Sequence, residues 1–374
     1  MKILMISTDW RIALLGSKEH IRMSGYATVT EELHIIVFTL KSQGLKSTQS
    51  GNLYIYPTNS IFKLLYGVNA YFLSNKIKEK GITLVTAQDP FEAGLIALKI
   101  SKKLKASFQV QLHTDFASTY YGRESFKNRL RIAIADYVIP KANCVRVVSK
   151  RLQRDLINRY GLKKEPFVLP IHLDIPMSIL SEHQDLLRVK YPKFGTVMVM
   201  ISRIEKEKNM IMAIKCFNNI YKSYPGVGLV IVGDGSLKAG LEKLVRKLGL
   251  EEIVIFEGWS DKTIIYFLSA DLFLNTSNYE GFGRTLMEAS AAGCPIITTD
   301  VGIVGEVLNN KNALISAPQD ELTFQNNLEF ALKNKNLIKE RAKLARNAVN
   351  YYMSITEDDR LSMYKSSWEE CSQK

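Results

Sequence analysis

Twelve short apolar runs, separated by stretches of helical periodicity, constrain this chain more than anything else in it. Six fall in the first half, at residues 3–6, 34–39, 53–56, 82–87, 108–112 and 144–148. Six more follow at 197–201, 229–232, 253–256, 272–275, 296–298 and 313–315. The runs are continuous rather than alternating, so both faces of each strand are expected to be covered. Helical patterns such as 91–104, 209–221, 237–248 and 261–268 lie between them. Buried strands joined by crossover helices imply parallel sheets. At 374 residues the chain can hold two domains, each with its own core. The expected fold is α/β, with two tandem doubly wound, Rossmann-like domains. The boundary is expected near Leu169-Pro170-Ile171, with a polar segment, 175–192, leading into the second domain.

One stretch carries chemistry: Asn278-Tyr-Glu-Gly-Phe-Gly-Arg-Thr-Leu-Met-Glu288-Ala-Ser-Ala-Ala-Gly293-Cys-Pro295. Glu280 ends the loop that follows an apolar strand, and Glu288 lies eight residues on, inside the next helix. Eight helical residues turn through about 800°, so the two acids do not share a helix face. Gly281 and Gly283, on either side of Phe282, permit close backbone approach. The N–H groups of Arg284, Thr285 and Leu286 then open the helix, a place suited to a phosphate or carboxylate. One acid before an anion cradle and one inside it suits a ligand with a charged centre and hydroxyls at both ends, such as a nucleotide-diphosphate sugar.

Two glutamates separated by seven residues around a Phe-Gly turn, continued by a small-residue helix and Gly-x-Pro, resemble the family 4 retaining glycosyltransferases. That resemblance implies the GT-B architecture, two such domains facing a cleft. Residues 1–170 would form the acceptor-side domain and 171–355 the nucleotide-sugar domain. The helix within 356–374 would cross back onto the first domain. Glu280 would contact donor-sugar hydroxyls and Glu288 the nucleotide ribose. Ser202-Arg203-Ile-Glu-Lys-Glu-Lys208, after a strand and before a helix capped by Asn209, resembles the family's Arg-x₄-Lys element. Arg203 and Lys208 would stabilise the leaving diphosphate as a fork and a point charge. Gly233, in a Gly-Asp-Gly turn, and Trp259, near the expected base position, match weaker segments of the family. In the first half, His113 ends an apolar strand where the family places a histidine near the reacting sugar. Gly16 matches the glycine loop over the donor phosphates, although many relatives carry two adjacent glycines there. Gln88-Asp89-Pro90-Phe91 is either an acceptor contact or a helix start.

The implied reaction moves a hexose-type sugar from a UDP- or GDP-sugar to a hydroxyl acceptor, a lipid, a lipid-linked glycan or a sugar, with retention by same-face attack. No Asp-x-Asp pair stands at a strand end, so no metal is required and no cofactor is expected beyond the donor substrate. Net charge is +13, and residues 1–170 hold 26 Lys and Arg against 12 Asp and Glu. An anionic partner for that half follows, with an anionic membrane surface favoured over nucleic acid. Residues 62–80 and 119–134 interleave aromatics with cations there. No apolar run approaches the ~18 residues of a membrane span. Cys144, Cys216, Cys294 and Cys371 lie far apart among apolar residues, so four buried thiols in a reducing, cytoplasmic setting are expected. Alternatives are a GT-B nucleotide-sugar epimerase, or a basic nucleotide- or nucleic-acid-binding module without transferase activity. A dehydrogenase is disfavoured, because no Gly-x-Gly-x-x-Gly follows a strand with an acid about 20 residues on.

Overall fold

The computed structural model describes residues 1–173, 175–181 and 185–373; residues 174, 182–184 and 374 of the expected lead segment and chain end lie outside the described residues. The chain divides into two compact units, Met1–Pro170 with Thr356–Lys374, and Ile171–Ile355.

The first unit is built on eight strands: β1 (Lys2–Ser7), β2 (Glu32–Val37), β3 (Thr48–Ser50), β4 (Leu53–Pro57), β5 (Leu84–Ala87), β6 (Ser107–Leu112), β7 (Cys144–Val147) and β8 (Phe167–Val168). Their order is β3-β4-β2-β1-β5-β6-β7-β8, parallel except for β3 against β4. Chain order reverses between β1 and β5, where the Ser7 hydroxyl donates to Gln88 Oε1 at 2.5 Å across the two strand ends. The apolar-run reading misses β3 and β8. Thr48-Gln-Ser50 is polar because it pairs only on the sheet edge, and β8 is two residues long.

The second unit holds β9 (Thr196–Ile201), β10 (Val227–Val232), β11 (Val254–Gly258), β12 (Leu272–Asn275), β13 (Ile296–Thr299) and β14 (Leu314–Ser316). All are parallel, in the order β11-β10-β9-β12-β13-β14. Every residue of β9, β10, β12 and β13 is buried, which accounts for their continuous apolar character. β9 and β10 run in register from Thr196 opposite Val227 to Ile201 opposite Val232, so their carboxyl ends are level. The order reverses between β9 and β12, and ligands of open α/β sheets collect outside the strand ends at such a reversal.

The C-terminal helix Glu357–Ser372 belongs to the first unit. It starts on a capping box, Thr356 with Asp359. Leu361, Tyr364 and Trp368 then enter the core formed with Ile3, Met5 and Tyr26. Gln109 Nε2 on β6 donates to the Ser367 carbonyl at 3.0 Å. The expectation of four thiols is corrected here: Cys371 on this helix is disulfide-bonded to Cys144 on β7, with Cα atoms 5.4 Å apart. The pair is separated by 227 residues, and only the docking of the helix on the sheet brings the sulfurs together. Cys216 and Cys294 are free and buried. The disulfide removes the argument for a reducing compartment. Among the described residues no helix is long and apolar enough to cross a membrane.

Candidate active site

Ten of the residues singled out in the second unit meet around the carboxyl ends of β9 and β12. After β9 the chain runs Ser202–Glu205 into a short turn, Lys206–Lys208, and the helix Met210–Ile220. Glu205 anchors this turn by accepting from Ser236 N at 3.0 Å and Ser236 Oγ at 2.6 Å. Those hydrogen bonds hold its carboxyl below the ordinary glutamate range. The capping role expected of Asn209 is not found. Its side chain makes no cap hydrogen bond, and its backbone takes φ 45°, a left-handed conformation that asparagine tolerates. That turn is stitched to the loop after β12. Asn278 N donates to the Glu207 carbonyl at 2.7 Å, and Thr276 Oγ1 lies 2.9 Å from the Lys208 carbonyl.

The stitching sets Lys208 Nζ 2.5 Å from Glu280 Oε1. Both side chains are mostly enclosed, 12% and 15% exposed. Ser277 Oγ lies 2.9 Å from the same carboxylate oxygen. An ammonium carries three donors, so Lys208 can hold Glu280 and an anion together. Arg203, by contrast, extends into solvent and pairs with Glu207 at 2.7 Å.

Phe282 is buried and Gly283 adopts φ 85° at the head of the helix Arg284–Ala292. Gly281 lies between Glu280 and this turn. The turn rests on residues that sequence reading passed over. Ile303 N donates to the Phe282 carbonyl at 2.9 Å. A Cβ on Gly302 would lie 2.3 Å from that carbonyl oxygen and 3.2 Å from Glu280 Cβ. The Val301-Gly-Ile303 loop therefore backs the Glu280 turn, and its signal was the glycine after β13. One expectation is corrected. The Leu286 N–H is engaged by the Gly283 carbonyl at 3.0 Å, because the first turn closes tightly, leaving Arg284 and Thr285 as the amides that open the helix. Glu288 is buried one turn in, with Arg284 Nε 2.8 Å from Oε1 and Thr263 Oγ1 3.3 Å from Oε2.

Gly233 has a packing explanation of its own, since a Cβ there would lie 1.9 Å from the Ser202 carbonyl oxygen. Trp259, just past β11, is 74% exposed. It is therefore not a packing residue, and its indole face is open to a planar partner.

His113 and Gly16 lie in the first unit. Gly16 takes φ 78° with nothing near its Cβ position, so the backbone and not crowding requires glycine there. Ser17 follows it and caps the helix Lys18–Thr28 through His20 N. His113 follows β6 and keeps an exposed surface. Desolvation and the Arg146 and Arg22 guanidiniums lower its pKa. Given that exposure, Arg146, with Nη2 3.3 Å from His113 Nε2, is the stronger cause. Asp89 accepts from Phe91 N at 2.8 Å, which makes Gln88-Asp89-Pro90-Phe91 a helix start.

This geometry defines an α/β enzyme-like site at a strand-order reversal, with a cation–carboxylate pair beside a helix N-terminus. The chain belongs to the group 1 glycosyltransferases: residues 186–351 match the family described as "Glycosyl transferases group 1" and residues 30–170 match "Glycosyltransferase Family 4". The chain is 26% identical over 247 residues to an alpha-monoglucosyldiacylglycerol synthase of Streptococcus pneumoniae, covering 63% of this chain and 55% of that protein. It is 27% identical over 251 residues to the poly(glycerol-phosphate) alpha-glucosyltransferase of Bacillus subtilis, covering 63% of this chain and 36% of that one. The aligned region thus spans roughly a third to a half of these relatives. Its fold is that of GT-B glycosyltransferases. HepE from Anabaena, solved with UDP and glucose, superposes with a TM-score of 0.73 at 19% identity over 98% of this chain and 100% of that chain. Sucrose-phosphate synthase from Thermosynechococcus elongatus gives a TM-score of 0.75 at 17% identity over 98% of each.

Proposed function

We propose that this protein transfers a hexose-type sugar, with retention, from a nucleoside-diphosphate sugar to a hydroxyl of a lipid or lipid-linked glycan. The observation that carries the reading is the Lys208–Glu280 pair at the reversal between β9 and β12, beside the N-terminus of the helix holding Glu288. An anionic diphosphate placed there meets the Lys208 ammonium, Arg203 and the opening amides of Arg284 and Thr285. Glu280 lies beyond them, within reach of sugar hydroxyls, and Glu288 sits one turn into the helix, suited to ribose hydroxyls. Charge growing on the leaving diphosphate is offset by fixed cations and the helix dipole, which is where a positioned site gains most. Trp259 offers a face for the base. Same-face attack fits a site whose carboxylates are already tied to cations, Glu280 to Lys208 and Glu288 to Arg284. Relatives named as acting on diacylglycerol and glycerol-phosphate acceptors support the acceptor class, and a structural neighbour holding UDP supports a UDP donor.

A second observation favours a membrane-surface acceptor. Phe62, Leu64, Val68 and Phe72 in the first unit are all at least half exposed, as are Phe126 and Leu130. Lys63, Lys76, Lys78, Lys80, Lys127 and Arg129 lie among them in sequence. Calorimetric titration with UDP, GDP and a short nucleic-acid duplex tests the reading. Binding of a nucleoside diphosphate and not of the duplex is expected; the converse would replace it with a nucleic-acid-binding role.

A further inference from the structure

Among the described residues Arg146 is the most deeply buried lysine or arginine of the first unit, 2% exposed on β7, beside the edge strand β8. Among the described residues it forms no ion pair. Its direct contacts hold no carboxylate: Nη2 lies 2.5 Å from Gln111 Oε1 and 3.3 Å from His113 Nε2, and the guanidinium stacks 4.6 Å from the Tyr364 ring of the C-terminal helix. Its Nε has no partner. An unpaired buried charge is expensive, and a packing role alone would be met by an apolar residue. Besides donating to Gln111, this cation does what an apolar residue could not: it donates to His113.

A guanidinium has donors and no acceptor. The Nε2 atom that faces it must therefore accept, which leaves the imidazole proton on Nδ1. We infer that Arg146 is a positioning residue: it fixes His113 as the neutral, Nδ1-protonated imidazole, so that the ring offers a hydrogen-bond donor and neither a base nor a cation. The inference rests on the reading of His113 as a sugar contact. A neutral donor suits a sugar hydroxyl, which can accept its hydrogen bond without a proton being moved. The other charged or titratable groups around this pair are Arg22 and Tyr26 from the helix Lys18–Thr28, and Tyr364 and Arg360 from the C-terminal helix; Asp115 follows His113 by two residues in the chain. Asp115 is buried, which raises its carboxyl to about 6, and it is engaged by Ser118 N at 3.0 Å. The cations on this list act in the same direction as Arg146. Tyr364 ties the arrangement to the C-terminal helix, because its ring covers the far face of the guanidinium.

The test is nitrogen NMR of the full chain labelled at histidine, with His113 assigned by His113→Asn. The expected spectrum shows Nδ1 protonated and Nε2 bare, unchanged between about pH 5 and pH 8. In Arg146→Gln, His113 should begin to titrate near the ordinary value of about 6.5, and kcat should fall about tenfold with donor KM nearly unchanged. An imidazolium or an Nε2–H tautomer in the unsubstituted protein would overturn the inference, even if Arg146→Gln does not fold. So would an Arg146→Gln protein whose His113 spectrum is unchanged. Full activity in His113→Ala would sink the sugar-contact reading and leave the tautomer result standing, so the two failures are distinguishable.

Discussion

Lys208 and Glu280 are 72 residues apart in the chain and 2.5 Å apart in the fold, and this contact changes what each substitution should do. Glu280→Gln keeps an oxygen for the Lys208 ammonium, so nucleotide affinity should stay close to the original while transfer is abolished. Glu288→Gln should instead weaken UDP or GDP binding by about 1–3 kcal/mol, the worth of a charged hydrogen bond. Titration calorimetry and turnover on the two variants check the division, and equal loss of affinity in both would contradict it. Lys208→Ala should lower kcat more than it raises KM, because the charge it meets grows in the transition state. Arg203→Ala should do the same more weakly, since that side chain is largely solvated and paired with Glu207. Activity of the unsubstituted protein should survive EDTA; inhibition reversed by magnesium would overturn metal-free transfer. The resemblance to the family's motifs singled out the paired glutamates and the lysine, and the fold brings Lys208 and Glu280 into contact. Gly302 and Arg146 were not, because each gains meaning only from a contact across the sheet.

At the scale of elements, the second sheet was readable because β9, β10, β12 and β13 are buried throughout and so written largely in apolar residues. Polar β3 and two-residue β8 carry no such signal. The disulfide was hidden for another reason: Cys144 and Cys371 meet only through the docking of the C-terminal helix, which no local pattern announces. Cys371→Ser should lower the melting temperature, since a cross-link over a long loop limits the unfolded chain. Equal melting of the two proteins under oxidising conditions would show that the bond contributes nothing. The two amphipathic segments of the first unit also give a measurable expectation. Helix Phe126–Val138 buries Ala135 and Val138 and leaves Phe126 and Leu130 outward. Each nearby Lys or Arg contributes about 1 kcal/mol at an anionic leaflet. The protein should sediment with vesicles containing phosphatidylglycerol at low salt, and release as salt shortens the screening length. Protein left in the supernatant with both these and phosphatidylcholine vesicles would point to a soluble acceptor.

On the scale of the whole molecule, the first 170 residues carry an excess of 14 positive charges and the remainder is nearly balanced. Composition announced that asymmetry and the run of apolar segments announced two α/β sheets, but neither says which sugar or which acceptor. The central claim is that the site around Glu280 transfers sugar from a nucleotide donor. It is tested most directly by incubating the purified protein, and its Glu280→Gln variant, with radiolabelled UDP- and GDP-sugars and a lipid extract. The account predicts label in the lipid phase from at least one donor, in the α configuration of that donor, and none with Glu280→Gln. Label transferred equally well by the Glu280→Gln variant, or with the anomeric configuration inverted, would contradict it.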